Sequence, residues 1–186
     1  MIKVPYQLNL EAVHPAVCRI ELDQVNWGNT INAGVVVGET TEIDYSVRKT
    51  DLVWAAPRGA VSCIAQSLIV SANIECGWNY ALSYVGDTQI GRYRDGGHYI
   101  EHIDTLTPDA DNLQRKLTAV VLLNNSNEFV GGDLELCLPS GEWKRELLRD
   151  AGDMIVFPSF MLHRVTPVTS GVRYTSVTWA LGPAFR

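Results

Sequence analysis

The chain of 186 residues has no hydrophobic run that could cross a membrane: its longest uninterrupted aliphatic stretch is Ala119 to Leu123, against roughly 20 residues for a spanning helix. It has no basic excess either. Fifteen Lys and Arg stand against 21 Asp and Glu, a net charge of −6, and no cluster of Lys and Arg argues for a nucleic-acid or anionic-membrane surface. The opening MIKVPYQLNL lacks the apolar segment of a secretory leader, so the expectation is a cytoplasmic protein. Cysteine is scarce: Cys18, Cys63, Cys76 and Cys137 are scattered, with no C-x-x-C pair. Without a secretion signal this predicts free thiols buried as small hydrophobes. No repeat, low-complexity run or Pro/Gly-rich linker divides the sequence, and the length suits a single domain over residues 1–186.

What is present changes character along the chain. Val61, Ile64, Ala65, Leu68, Ile69 and Ala72 form one apolar stripe at helical spacing, predicting a helix at about 59–75. Pro15, suited to a first helical turn, predicts a second helix to about Gln24. Ile2 to Leu8 and Ala33 to Val37 read as short strands. From Thr88 onward the texture is β, with segments near 88–94, 99–103, 116–123, 133–138, 154–157, 162–165 and 172–180 separated by Gly-, Asp- and Pro-containing turns. Helices first and short strands after predict a mostly β protein. Its expected core is a jelly roll (double-stranded β-helix, cupin-like) with the N-terminal helices packed on one face.

The chemistry concentrates in the β half. Histidine is rare, only four in the chain, so each can be weighed. His102 and Asp104 are two apart at the end of a strand-like segment, where imidazole and carboxylate share a face. His163 is the candidate for a third ligand. Two His and one carboxylate make the facial triad of a ferrous site with open positions for a bidentate co-substrate and dioxygen. Arg173, Thr175 and Val177 alternate on one face of a later strand, and a buried guanidinium there needs an anionic partner such as the far end of an iron-bound dicarboxylate. Trp78, Phe157 and Trp179 read as core aromatics. His98 reads as a loop residue, His14 as a turn residue, and Gly96 and Gly97 as a turn needing positive φ.

The run Tyr93-Arg94-Asp95-Gly96-Gly97-His98-Tyr99-Ile100-Glu101-His102-Ile103-Asp104 resembles the Y-x-x-G-x-x-Y-x-x-H-x-D signature of prolyl-4-hydroxylase-like 2-oxoglutarate- and Fe(II)-dependent oxygenases. Gly131-Gly132-Asp133-Leu134, the segment from Gly152 through His163 to Val168, and Ser170 to Tyr174 with Trp179 resemble the motifs that follow in that family. The wording is similar to the PKHD-type hydroxylase branch of bacteria and bacteriophages. The resemblance implies Fe(II) held by His102, Asp104 and His163, and 2-oxoglutarate anchored at its distal carboxylate by Arg173. Tyr93 and Thr118 would make further polar contacts to the co-substrate. It departs at Leu122, where some prolyl hydroxylases place a tyrosine near that carboxylate. Residues 88–186 would be the catalytic β-core and 1–87 a helical support region. The implied reaction consumes O2 and 2-oxoglutarate and yields succinate, CO2 and a hydroxylated substrate, by analogy a prolyl residue of a peptide or protein, with ascorbate as a further candidate cofactor. Loops 38–58 and 104–116 would select the substrate. A nucleobase or small-molecule oxygenase on the same iron site and a non-catalytic jelly-roll binding module are the alternatives. Oligomeric state is left open.

Overall fold

The computed structural model describes residues 6–8, 13–32, 35–37, 40–55, 59–145 and 148–185. Two α-helices, α1 (Pro15–Gln24) and α2 (Ala60–Glu75), stand among the early strands β1 (Tyr6–Leu8), β2 (Ile31–Asn32), β3 (Val35–Val37), β4 (Thr40–Glu42), β5 (Arg48–Lys49) and β6 (Asp51–Trp54). Ten more follow: β7 (Tyr84–Tyr93), β8 (His98–His102), β9 (Leu113–Leu122), β10 (Phe129–Gly131), β11 (Leu134–Cys137), β12 (Trp143–Arg145), β13 (Met154–Pro158), β14 (His163–Val165), β15 (Val168–Gly171) and β16 (Arg173–Pro183).

The strands build a seven-stranded sheet in the order β1-β13-β9-β16-β7-β6-β2 and a five-stranded sheet in the order β12-β11-β14-β8-β5. From β7 onward the chain passes back and forth between them: β7, β9, β13 and β16 join the large sheet, β8, β11, β12 and β14 the small one, and β10 pairs with β15 in a separate two-stranded ribbon. That wrapping is the double-stranded β-helix expected from the turn spacing.

Side-chain alternation makes two cores. On β9 and β13, Leu117, Ala119, Val121, Met154 and Val156 face one way and join Val61, Ala65, Ile69 and Ala72 of α2. Val120, Ile155 and Phe157 face the other way, between the sheets, with Leu134, Leu136 and Val165. Both faces of the large sheet are therefore buried at β9, which is why residues 117–123 are apolar at every position but Thr118. The helices do cover one face, as the apolar stripe predicts. α1 is capped by His14, whose Nδ1 accepts from the Ala16 amide at 3.2 Å, with Pro15 in its first turn.

The first half differs from a purely helical support. β1 pairs with β13, β6 with β7, and β5 with β8, so early strands extend both sheets. Their brevity, two to four residues each, leaves too few side chains for a period of two to register. The strands expected at Ile2 to Leu8 and Ala33 to Val37 are found at Tyr6–Leu8 and Val35–Val37; residues 2–5 and 33–34 lie outside the described residues. Loop 38–58 carries β4, β5 and β6, and loop 104–116 ends inside β9. All four cysteines are free, but only Cys18 and Cys76 are buried; Cys63 is exposed and Cys137 half-buried. Burial pushes the Cys18 thiol up to about 11, as desolvation of a thiolate requires. Among the described residues no helix is long and apolar enough to cross a membrane.

Candidate functional site

β8 and β14 are neighbours, and their register sets His102 directly opposite His163, with ring centroids 4.0 Å apart. Asp104 lies just past β8, where the amides of Asp104 and Thr105 both donate to the Ser159 carbonyl, at 2.8 and 3.1 Å. That pinning brings the carboxylate back to the histidines. His102 Nε2 is 3.8 Å from Asp104 Oδ1, and His163 Nε2 is 3.6 Å from Asp104 Oδ2. One donor atom from each residue lies within 4.8 Å of the others.

The rings are oriented for metal. His102 Nδ1 bonds the Ile100 carbonyl at 2.8 Å and His163 Nδ1 the Met161 carbonyl at 2.9 Å. A carbonyl only accepts, so each Nδ1 carries the proton and each Nε2 presents its lone pair. Burial, reinforced by the neighbouring His163, lowers His102 to about 3, so the ring is neutral as a ligand must be. Burial opposes ionisation of Asp104, but the imidazoles of His163 and His102 outweigh it and its carboxyl is held below the ordinary range. Thr118 Oγ1 donates to Asp104 Oδ2 at 2.8 Å and lies 3.0 Å from Ser159 Oγ. Two imidazoles with Nε2 turned to the carboxylate, and that carboxylate, each anchored by a hydrogen bond, fit a ferrous ion with open positions.

These groups open into a cavity of about 290 Å³ between the sheets, and Tyr93, Thr118 and Arg173 all line it. Arg173 is 3% exposed. Its cross-strand neighbour is Tyr93, whose ring centre is 5.3 Å from the guanidinium carbon. Among the described residues no carboxylate is within ion-pair distance of it. Burial pulls its pKa down, against Tyr93 and Asp133, which hold it up. The Gly131-Gly132 turn makes room for this side chain: a Cβ on Gly132, where φ is +67°, would lie 2.8 Å from Arg173 Cδ. In the other glycine turn, Gly96 has φ +82°, as expected, but Gly97 is required by close approach, its Cβ falling 2.8 Å from the Arg94 amide nitrogen.

Several residues differ from the sequence expectation. Tyr99 stacks on His102, with centroids 3.4 Å apart, and lines the cavity. Trp179 is buried, as expected of a core aromatic, and it also lines the cavity; the alternation Arg173, Thr175, Val177 already pointed there, since position 179 continues the same face. Phe157 is a core residue, set edge-on to His163. Leu122 does not join Thr118 and Val120 on the cavity wall; it borders a second hollow beyond Arg173. His98 is not a loop residue but opens β8, bonded through its ring to the Gly96 and Ser46 carbonyls.

Arg48 and Arg115 line the cavity unforeseen. Simple alternation sets Arg115 on the face opposite Thr118. A register shift, with Ala180 opposite Leu117 and Leu181 opposite Arg115, leaves Lys116 as an extra residue and flips Arg115 to the Thr118 side.

Comparison with known proteins agrees with this geometry. The family profile described as 2OG-Fe(II) oxygenase superfamily matches residues 88–181. A PKHD-type hydroxylase of Teredinibacter turnerae is 38% identical over 90 residues, covering 47% of this chain and 39% of that protein. The chain thus spans about two fifths of the length of the curated relatives it matches. Among solved structures, a Pseudomonas putida prolyl-4-hydroxylase superposes with a TM-score of 0.71 at 19% identity, over 95% of this chain and 91% of that one. A Trichoplax adhaerens prolyl hydroxylase, solved with a peptide fragment of the hypoxia inducible factor oxygen degradation domain, gives 0.68 at 20% identity, over 95% and 82%. The structural matches share the fold.

Proposed function

Because the chain belongs to the 2OG-Fe(II) oxygenase superfamily, we propose that it is a 2-oxoglutarate- and Fe(II)-dependent hydroxylase whose iron is held by His102, Asp104 and His163. The observation that carries this reading is the convergence, in one cavity, of two Nε2 atoms and a carboxylate with a buried guanidinium that has no carboxylate within ion-pair distance among the described residues. Bound iron would supply dioxygen activation coupled to decarboxylation of 2-oxoglutarate to succinate and CO2, with one oxygen atom delivered to a substrate C–H.

The chain's own residues position and shield that chemistry. The Ile100 and Met161 carbonyls hold both imidazoles in the tautomer that leaves Nε2 free. Thr118 donates to one Asp104 oxygen and so fixes the carboxylate. Arg173 offers a fork of N–H donors to the distal carboxylate of 2-oxoglutarate, and the Tyr93 ring beneath it limits its motion. Val120, Leu134, Val165 and Val177 line the same cavity and exclude water from it.

A prolyl residue of a peptide or protein is the proposed substrate. The support is the likeness to prolyl hydroxylases, one of them solved with a peptide. The free state of all four cysteines suits a reducing compartment, the cytoplasm.

The test is succinate release from 2-oxoglutarate in the presence of Fe(II) and a panel of proline-containing peptides. Turnover should require both iron and 2-oxoglutarate. His102→Ala should lose iron and turnover while keeping the wild-type far-UV circular dichroism. A His102→Ala protein that retains iron stoichiometry and activity refutes the triad assignment.

A further inference from the structure

Two arginines share the triad's cavity, and among the described residues neither has a carboxylate within ion-pair distance. Arg48, on β5, lies opposite Tyr99 in the register, with its guanidinium carbon 4.5 Å from the centre of that ring. Arg115, on β9, lies over Trp179 at 3.8 Å. Among the described residues neither side chain makes an ion pair or a hydrogen bond. Arg48 Nε is buried with no partner at all. Ring stacking occupies the face of a guanidinium and leaves its in-plane N–H donors unspent.

Counting charges sharpens the point. The cavity is lined by Arg48, Arg115 and Arg173, and among the described residues its only acidic one is Asp104. The iron dication and Arg173 carry three positive charges between them, and the 2-oxoglutarate dianion and Asp104 carry the three negative charges that balance these. The uncompensated positive charge then sits at Arg48 and Arg115, in a protein whose net charge is −6. Burial already pulls the pKa of Arg115 down, with Asp104 the largest influence opposing it. A neutral substrate could accept hydrogen bonds from both guanidiniums through its carbonyls, but it would strip water from them and leave their charge unmatched.

We propose that the substrate of this site is anionic, presenting a carboxylate to Arg48 and Arg115 while the C–H to be oxidised faces the triad. This rests on the oxygenase reading and narrows it. The cavity, about 290 Å³ in all, must also hold 2-oxoglutarate, so the anionic group is compact. It is either the main-chain carboxylate of a free or C-terminal residue, or the side chain of an acidic residue beside the one hydroxylated.

The test uses the Fe(II)–2-oxoglutarate charge-transfer band under anaerobic conditions. Failure of that band to form overturns the oxygenase reading itself, independently of any substrate. With the band present, matched acid and amide pairs are titrated and its perturbation followed: N-acetyl-L-proline against N-acetyl-L-prolinamide, and a blocked Pro-Asp peptide against its Pro-Asn counterpart. The first pair reports a main-chain carboxylate and the second an acidic neighbour. In at least one pair the acid should perturb the band at about tenfold lower concentration than its amide, the worth of one charge-assisted fork. Arg48→Gln and Arg115→Gln should each erase most of that preference while the band still forms, and Arg115→Lys should restore part of it. Equal responses to acid and amide in both pairs, absence of any response included, overturn the proposal. So does a preference that survives both Gln variants.

Discussion

Arg173 packs against the glycine hairpin and is the proposed anchor of the co-substrate. Its guanidinium is enclosed at 3% exposure beside Tyr93, and Gly132 leaves the space its stem occupies. A charge-assisted fork contributes on the order of 1.5–3 kcal/mol, and stranding the carboxylate adds its desolvation cost. Arg173→Leu should therefore weaken 2-oxoglutarate by roughly tenfold to a thousandfold, at about 1.4 kcal/mol per decade, with iron affinity nearly unchanged. Arg173→Lys should recover only part of it, since an ammonium keeps the charge but not the planar fork. Anaerobic titration of the charge-transfer band measures all three proteins, and equal dissociation constants would remove Arg173 from the site. At this scale the sequence was highly legible for the triad. His102 and Asp104 are two apart at a strand end, and rare histidines leave little choice of partner. It was poorly legible for Tyr99 and Trp179, because an aromatic beside a metal site carries the same pattern as one in a core.

Elements separate stability from chemistry. α2 packs its Val61, Ala65, Ile69 and Ala72 stripe on the face of the large sheet that points away from the cavity. Ile69 is fully buried there, so Ile69→Ala should cost about 2–5 kcal/mol of unfolding free energy through lost burial and a residual cavity. Urea denaturation would register the loss, while the affinity for 2-oxoglutarate should stay at the wild-type value. An equal fall in both would mean that the helix layer and the site are one mechanical unit. β9 carries the division within a single strand, Thr118 and Val120 inward and Leu117, Ala119 and Val121 toward the helices. Its register shift at Lys116 re-aims Arg115. Strand alternation can be read from sequence, but an extra residue that reverses it depends on the partner strand.

For the whole molecule, neither hydrophobic core includes a triad residue, and backbone carbonyls already hold the histidine rings. The metal-free protein should therefore be folded, unlike a small zinc domain. Ligands that bind only the native state still stabilise it by mass action, about 2.7 kcal/mol at a hundredfold excess over the dissociation constant. Mn(II), a redox-quiet stand-in for Fe(II), added with 2-oxoglutarate should raise the thermal midpoint of the wild type but not that of His102→Ala. A chelator should return the midpoint to the metal-free value with the circular dichroism unchanged; unfolding on chelation would mean that the ion is structural.

The sequence alone determined the two helices, the strand series after Thr88 and the shared face of His102 and Asp104. Each rests on local periodicity or on residues held at fixed spacing by one strand or turn. Only the tertiary structure decided that β1, β5 and β6 complete the sheets, that Leu122 borders a neighbouring hollow and not the iron cavity, and that Arg48 and Arg115 enter that cavity. Those placements depend on which strand lies alongside and in what register, a long-range hydrogen-bonding choice that a two-residue strand or a single bulge does not write into its own neighbourhood.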